Sequence, residues 1–252
     1  MRIAFSGTAH SGKSTLLKSF LYTWKNFVTP NKTYRDLLKE ESLTHSSKTT
    51  SKTQERILDF MLDQLQTYDK DSKVAYDRCP LDNIAYTMWC HDKNKKGFSK
   101  AFVTKQIQLM RESMRFLDII FLCRYNEQAG ENTNNENNLR EKDTSFIKEV
   151  DNILYSFYKQ YMSNPGANIF FPKDDTPCII VLPDDQQRRI DLIAEYINSD
   201  GELFGEEESI LNPENINELE RLVKEQQGAL AREETEKELH KKFGLGNHDQ
   251  IK

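Results

Sequence analysis

The sequence has few cysteines and no long apolar run, and each absence excludes a class of protein. Its four cysteines lie far apart among 252 residues and form no CxxC pair. We therefore expect buried, reduced thiols rather than a disulfide framework or a structural zinc site. No apolar stretch approaches the roughly 20 residues that span a bilayer, and Met1-Arg2 leads directly into an apolar segment without room for a signal peptide. The expected protein is cytoplasmic and has no membrane partner.

An excess of positive charge is also lacking. Lysine and arginine total 35 against 40 for aspartate and glutamate, which gives a formal net charge of −5. Proteins that hold a long stretch of nucleic-acid backbone usually carry a positive excess, so the overall charge argues mildly against DNA binding. The chain does have short apolar blocks, separated by polar segments, and 30% of its residues are charged. Its length suits one α/β domain with an appendage.

The apolar blocks predict alternating strands and helices. The predicted strands are Arg2–Ser6, Lys73–Cys79, Asp118–Cys123 and Pro177–Pro183, with a weaker extended segment at Phe27–Thr29 before Pro30. Helical spacing of apolar residues predicts helices over Ser14–Trp24, Thr53–Tyr68, Leu81–Cys90, Ala101–Phe116 and Phe146–Tyr161. Strands separated by helices indicate a parallel sheet that is buried on both faces. The expected fold is an α/β three-layer sandwich.

Two segments differ from this pattern. The polar, asparagine-rich stretch Asn126–Asn138 predicts a mobile loop, which we interpret as a lid over about residues 125–145. From residue 201 to residue 252 the composition becomes strongly charged, with a helical stretch over Pro213–Phe243. We expect a domain over residues 1–200 and a charged helical extension over 201–252. That extension docks on its own domain, pairs with a second subunit in a homodimer, or remains a solvated helix.

The first predicted strand runs directly into the most specific motif of the chain, a Walker A phosphate loop. The motif comprises Gly7, Thr8, Ala9, His10, Ser11, Gly12, Lys13, Ser14 and Thr15. The two glycines allow backbone turns that aim N–H groups at a polyphosphate. Lys13 supplies a cation to the phosphates, the Ser14 hydroxyl can bind Mg²⁺, and the next helix adds the positive end of its dipole. We read His10 as a solvated residue of the loop. The context predicts a P-loop NTPase fold.

A second motif follows the strand that ends at Asp77-Arg78. At the carboxyl end of a parallel strand, these side chains lie at the edge where α/β proteins bind ligands. Aspartate there can hold Mg²⁺ or accept a proton from an attacking hydroxyl, and arginine can bind phosphate oxygens. The alternative is a structural ion pair or a strand cap. Together with the phosphate loop, the motif predicts a phosphotransferase.

The residues from Asp77 to Tyr86 resemble the thymidylate kinase signature Asp-Arg-x-x-x-Ser-x-x-Ala-Tyr. The sequence departs from that signature at Asp82, where the family has serine. More loosely, Asn138–Asp143 and the helix after it are similar to the lid region of nicotinamide riboside kinase domains. The resemblance covers roughly residues 1–198 and is strong only at the two motifs.

The resemblance implies a role for each matching residue. Lys13 and the loop amides would bind ATP, Ser14 would hold Mg²⁺, and Asp77 would serve the metal or the acceptor hydroxyl. Acceptor-side phosphate would be bound by Arg78 and by Arg56, and Arg140 would close over the transferring group with the lid. These implied roles make the protein an ATP-dependent kinase of a nucleoside or nucleotide-like acceptor.

Three further features bear on the acceptor. Tyr86 and Trp89 are spaced either to stack on an acceptor base or to pack in the core. Tyr34-Arg35-Asp36 is either part of the acceptor site or an exposed helix start. The lysine-rich stretch His91–Lys105 is either a solvated loop or a grip on a polynucleotide backbone.

That last alternative matters because some bacteriophage enzymes of the thymidylate kinase-like group phosphorylate 5-hydroxymethyluracil within DNA. The acceptor is therefore a small nucleoside or nucleotide, which we favour narrowly, or hydroxymethyluracil-containing DNA in a DNA-modification pathway. The compartment is then bacterial cytoplasm, or host cytoplasm for a phage protein. An ATPase switch or interaction module is the alternative from another class. Motor ATPases carry an acid after the corresponding aspartate to activate water, whereas this chain carries Arg78.

Overall fold

The computed structural model describes residues 1–126, 143–163, 169–204 and Arg221. The chain divides into two units, Met1–Glu202 and Leu203–Lys252, and every element described below belongs to the first. Most of the predicted lid, including Arg140, lies outside the described residues. The same holds for the predicted helical tail apart from Arg221, so the division into a kinase domain and a helical extension stays a prediction.

A four-stranded parallel sheet forms the centre of the first unit. Its strands are β1 (Arg2–Ser6), β2 (Val74–Asp77), β3 (Ile119–Cys123) and β4 (Cys178–Leu182), in the order β2-β1-β3-β4. In the parallel register, Phe5 is opposite Asp77 on one side and Phe121 on the other. Because neighbouring strands run in the same direction, their carboxyl ends meet at one edge of the sheet.

Helices cover both faces of this sheet. They are α1 (Lys13–Thr23), α2 (Tyr34–Glu40), α3 (Ser51–Thr67), α4 (Pro80–Asp92), α5 (Lys100–Ser113), α6 (Thr144–Ser163) and α7 (Gln186–Ala194), with short 3-10 turns at Ser46–Lys48 and Met114–Phe116. Several helices begin at a residue whose side-chain oxygen accepts a hydrogen bond from the first turn, as Thr50 does at α3 and Ser99 does at α5. Among the described residues, no helix combines the length and the apolar character that crossing a bilayer requires.

Alternation along the strands divides the core into two clusters. On β1, Ile3 and Phe5 pack with Phe20 of α1 on one face, whereas Ala4 packs with Leu58 of α3 on the other. Both faces are thus covered, which explains why the strands have continuous apolar runs rather than alternating ones. The predicted α/β three-layer fold is confirmed.

Three expectations need correction. Phe27–Thr29 forms no strand, and only Val28 makes an isolated parallel bridge, to Val74, because Pro30 has no N–H to continue a ladder. Helix α7 was missing from the sequence-based assignment. Of the cysteines, Cys178 is exposed, whereas the other three are buried as expected.

Phe20 is the aromatic centre of the face covered by α1. Its ring centroid lies 5.4 Å from that of Phe5, 4.7 Å from that of Trp24 and 4.9 Å from that of Phe27. Phe20→Ala should lower the free energy of unfolding by about 3–5 kcal/mol, because the cavity cannot close fully. Tyr22 on the same helix is 80% exposed, and Tyr22→Ala should change stability by no more than about 0.5 kcal/mol. Urea denaturation measures both, and equal effects would contradict this packing.

Candidate active site

The edge at which the parallel strands end brings the two sequence motifs together. Strand β1 continues into Gly7, and neighbouring β2 ends at Asp77 and continues into Arg78. Arg78 donates its backbone N–H to Phe5 O at 3.0 Å. The phosphate loop and the Asp77-Arg78 motif are therefore neighbours, as their positions after parallel strands predict.

Close approach explains both glycines of the phosphate loop. At Gly7 the backbone has a φ of 140°, and a Cβ there would lie 2.2 Å from Cys123 O. At Gly12 the φ is 79°, and a Cβ would lie 2.8 Å from Nη1 of Arg189. No side chain fits at Gly7, and one at Gly12 would strain the backbone and push Arg189 away.

The amine of Lys13 lies inside the loop. It is buried and donates hydrogen bonds to Thr8 O and, at 3.0 Å, to Ser11 Oγ. Burial, with a smaller contribution from the charge of Arg78, lowers the pKa of Lys13 from its ordinary value to about 7, against the opposing effect of the Asp77 and Asp82 carboxylates. A bound polyphosphate would supply the negative charge that this buried amine needs to remain protonated.

The other loop residues stabilise its shape. Thr8 and Ser11 are buried, and the Ser11 hydroxyl donates to Thr8 O at 3.1 Å. His10 adopts a left-handed φ of 58°. Ala9 packs against the core and Thr15 is exposed on α1.

Ser14 and Asp77 supply oxygen atoms on the other side of the loop. The Ser14 hydroxyl lies 3.4 Å from Asp77 Oδ2, and Asp77 Oδ1 is buried with no hydrogen-bond partner in the part of the chain that the structure describes. A hydroxyl beside a carboxylate fits Mg²⁺, which prefers oxygen ligands and usually takes its remaining ligands from water and phosphate. The described part of the chain contains no group of three or more histidine, cysteine, aspartate or glutamate side chains that could hold a metal ion.

A buried network joins the phosphate loop to Arg78. Asp82 Oδ1 accepts from the N–H of Gly7 at 2.9 Å and from Arg78 Nη1 at 3.0 Å. Arg78 Nη1 also donates to Gly7 O at 2.8 Å, and the N–H of Cys79 donates to Asp82 Oδ2 at 3.0 Å. Asp82 thus caps α4 and holds Arg78, which has a left-handed φ of 82°, against the start of the loop.

Two aromatic rings enclose the Arg78 guanidinium. Its central carbon lies 5.0 Å from the centroid of Tyr34 and 5.6 Å from that of Tyr86, which is the range of cation–π attraction. Arg78 is only 5% exposed. Arg78 thus forms a buried ion pair with Asp82, as one of the interpretations of the Asp77-Arg78 motif predicts.

A cavity with an empty volume of about 490 Å³ opens beside this network. Its lining comes from α2, α3, α4 and the segments before them: Tyr34, Arg35, Leu38, His45, Ser46, Gln54, Ile57, Met61, Arg78, Asp82, Asn83 and Tyr86. It combines apolar walls with a small number of polar groups, as small-molecule sites do. Asp77 adjoins it through Arg35, whose Nη1 lies 3.8 Å from Asp77 Oδ2.

The structure separates the remaining predicted acceptor residues. Tyr86 lines the cavity, whereas Trp89 packs edge-on against Phe146 at 4.5 Å between ring centroids. Tyr34 begins α2 and lines the cavity, and the segment Tyr34-Arg35-Asp36 is half-buried rather than exposed. The role of that segment in acceptor binding stays a prediction. Arg56 is not among the described lining residues, and its Nη2 lies 2.7 Å from Oε1 of Glu41. Its role in acceptor binding stays a prediction.

Sequence reasoning missed Arg189 of α7. The side chain is 2% exposed and donates from Nη1 to Ser11 O at 2.7 Å and from Nε to Pro183 O at 2.6 Å. It therefore supports the middle of the phosphate loop from the side opposite Asp82. The available signal was helical spacing, since Arg189 shares a face of α7 with the buried Ile193, four residues later.

Arg189→Met should leave two carbonyl oxygens without a donor and release the loop. We expect the free energy of unfolding to fall by about 2–4 kcal/mol and the affinity for ATP to weaken. Arg188→Met is the matched control, because Arg188 is exposed on the same helix. Thermal unfolding and fluorescent-nucleotide titration measure the two effects. Similar results for both variants would show that Arg189 does not support the loop.

Because the pKa of Lys13 is low, we expect its amine to take up a proton when a nucleotide binds. At pH 8 the buried amine is mostly uncharged, since its pKa is about 7, and bound phosphate should raise that pKa. Calorimetric binding heats at pH 8 should therefore differ between buffers of low and high ionisation enthalpy, and the difference should vanish at pH 6. Lys13→Arg should show no difference at either pH, because a guanidinium stays charged. Heats independent of the buffer at pH 8 would refute this coupling.

Solved structures of nucleotide-dependent enzymes share this fold. A deoxyadenosine kinase from M. mycoides, solved with the products dCMP and dCDP, is 19% identical with a TM-score of 0.54, over 77% of this chain and 97% of that one. Thymidylate kinase from Candida albicans is 17% identical with a TM-score of 0.56, over 81% and 94%. The NadR protein in complex with NAD and AMP-PNP is 13% identical with a TM-score of 0.52, over 77% of this chain and 48% of that one.

At these identities the comparisons establish the fold alone. The predicted resemblance to thymidylate kinase is confirmed at the level of the fold. No curated protein sequence matches the chain. Residues 2–165, which contain the phosphate loop, the Asp77-Arg78 motif and the Asp82 network, match the family described as AAA domain. The chain therefore belongs to this family of P-loop proteins.

Proposed function

We propose that the protein is an ATP-dependent kinase that transfers the γ-phosphoryl group to a nucleoside or nucleotide-like acceptor. The position of Asp77 carries this proposal. It lies between the phosphate loop, which it approaches through Ser14, and the cavity, which it approaches through Arg35. A donor site and a small-molecule cavity on either side of one carboxylate suit phosphoryl transfer between two bound substrates.

On the donor side, the chain supplies positive charge held in place before the nucleotide arrives. The loop amides, the start of α1 and the Lys13 amine surround the space for the phosphates. Ser14 and Asp77 would hold Mg²⁺, and the ion, when bound, neutralises charge on the transferring phosphate. Little covalent work remains for the protein, since phosphoryl transfer depends mainly on position and electrostatics.

On the acceptor side, Asp77 accepts the proton. Its Oδ1 has no hydrogen-bond partner among the described residues and can take a hydroxyl proton while the acceptor oxygen forms its bond to the γ-phosphorus. The bond from that phosphorus to the bridging oxygen breaks, and ADP keeps the electron pair. The role that the resemblance implies for Arg140, which lies outside the described residues, stays a prediction.

The lysine-rich stretch favours a small acceptor over DNA. Lys93 pairs with Glu149 at 2.9 Å, Lys105 pairs with Glu55 at 2.9 Å, and Lys95 donates to Ser47 O. Lysines already bound to the protein's own groups offer less charge to a phosphate backbone. The cavity, in contrast, is lined largely by apolar and uncharged polar side chains of the kind that bind a nucleoside.

An ATPase without an acceptor is the second candidate, and family membership alone allows it. Water activation would need a free carboxylate after Asp77. Arg78 follows instead, and Asp82 is bound by Arg78 and by the N–H groups of Gly7 and Cys79. This arrangement supports the kinase proposal.

The test incubates the protein with γ-labelled ATP and, separately, thymidine, dTMP, nicotinamide riboside and hydroxymethyluracil-containing DNA. We expect label in a small acceptor, and a rate lower by roughly 10²–10⁴-fold in Asp77→Asn, which lacks the proton acceptor. Asp69→Asn, at an exposed position, is the matched control and should keep the full rate.

Each other outcome has a defined meaning. Label in DNA alone would contradict the small-molecule acceptor and support DNA modification. Release of inorganic phosphate alone, without any labelled acceptor, would contradict the kinase proposal and favour the ATPase.

A further inference from the structure

The fixed charges around the acceptor cavity are paired with one another. Among the described lining residues, Arg35, Arg78 and Asp82 carry fixed charge. The other lining residues are apolar, tyrosine or neutral polar, apart from His45, whose Nδ1 lies 2.8 Å from Ser46 Oγ. Arg78 pairs with Asp82 at 3.0 Å, and Arg35 pairs with Asp77 at 3.8 Å. Each cation of the lining therefore faces a carboxylate.

The pair between Arg78 and Asp82 is the tighter one. Their side chains are 4% and 1% exposed, so water screens their attraction little. The guanidinium is further held by Gly7 O and by the rings of Tyr34 and Tyr86. An acceptor phosphate at Arg78 would therefore meet a guanidinium whose Nη1 is already bound to Asp82 and to Gly7 O. Drawing Arg78 away from this pair would leave the Asp82 carboxylate buried without its partner, which is strongly unfavourable.

Asp82 stands where the signature that the sequence resembles has serine. A serine hydroxyl at this position would leave the charge of the neighbouring arginine uncompensated and available to a phosphate. A carboxylate cancels that charge and also repels an incoming phosphate dianion. The substitution therefore changes the electrostatics of the acceptor site and leaves its position in the fold unchanged.

Uncharged polar groups remain for recognition. Gln54 and Asn83 line the cavity, with Asn83 Nδ2 donating to Gln54 Oε1 at 2.8 Å. Such groups, with the apolar side chains of Leu38, Ile57 and Met61, bind a neutral heterocycle and sugar without needing a charged partner.

We propose that Asp82 determines acceptor specificity, and that the charge-balanced cavity takes an uncharged nucleoside, phosphorylated on a hydroxyl, in preference to a nucleoside monophosphate. This inference rests on the proposed kinase function. Asp82 acts through Arg78, so it is a specificity-determining positioning residue and does not itself contact the reacting atoms.

The test compares kcat/KM for three matched pairs: thymidine and dTMP, deoxyadenosine and dAMP, and deoxycytidine and dCMP. For the pair with the best substrate, the wild-type protein should favour the nucleoside by about tenfold or more, since a buried carboxylate repels a phosphate dianion. In Asp82→Ser this ratio should move toward the monophosphate by about tenfold or more.

Within one variant, the ratio of kcat/KM for the nucleoside to kcat/KM for its monophosphate separates a change in specificity from a general loss of activity. Asp82 also holds Gly7, so Asp82→Ser should lower all rates, but a merely structural role would lower both members of a pair equally. Asp92→Ser is the matched control, because Asp92 is exposed on the same helix, and it should leave the ratio unchanged. If Asp82→Ser fails to fold, the wild-type ratio decides.

The outcomes distinguish the two levels of the proposal. A wild-type preference for monophosphates, or an unchanged ratio in folded Asp82→Ser, would overturn the inference while the kinase function stands. Absence of any phosphorylated nucleoside or monophosphate, with ATP consumed, would overturn the kinase function and this inference with it.

Discussion

A single buried carboxylate connects the two halves of the site. Asp82 accepts hydrogen bonds from the N–H of Gly7, from Arg78 and from the N–H of Cys79. These groups begin the phosphate loop, follow the second strand and start α4, so their relative positions depend on one side chain. If the carboxylate moved, the phosphate loop and the acceptor cavity would no longer be held in a fixed position relative to each other.

Arg189 provides the opposing support. It holds Ser11 O at 2.7 Å from behind the loop, while Asp82 holds the loop entrance, so the turn that surrounds Lys13 is fixed at both sides. Rigid support matters for phosphoryl transfer, because donors placed before the reaction need no rearrangement as charge shifts to the transferring group. The two supports come from helices on opposite sides of the sheet, so the conformation of the loop depends on the packing of both outer layers.

The sequence was sufficient for the sheet and for the phosphate loop, since both are local patterns. Apolar runs mark β1, β2, β3 and β4, and the spacing of glycine, lysine and serine marks the loop. Adjacency of the Asp77-Arg78 motif followed from a rule about parallel strands rather than from contacts.

The cavity could not be predicted in the same way, because its lining comes from α2, α3 and α4, which meet only in the folded chain. On α3, helical rotation turns Gln54, Ile57 and Met61 to the cavity, while Arg56 lies on a different face beside Glu41. The burial of Arg189 likewise depends on where α7 packs. A helix start at Tyr34-Arg35-Asp36 was one of two alternatives in the sequence, and α2 does begin there, with Thr33 and Asp36 forming a capping box.

Phosphorus NMR of the wild-type protein with ATP, Mg²⁺ and a mixture of nucleosides tests the central claim most directly. The account predicts that a phosphomonoester resonance grows at the rate at which the γ-phosphate resonance of ATP disappears. Inorganic phosphate as the sole new product beside ADP would contradict it.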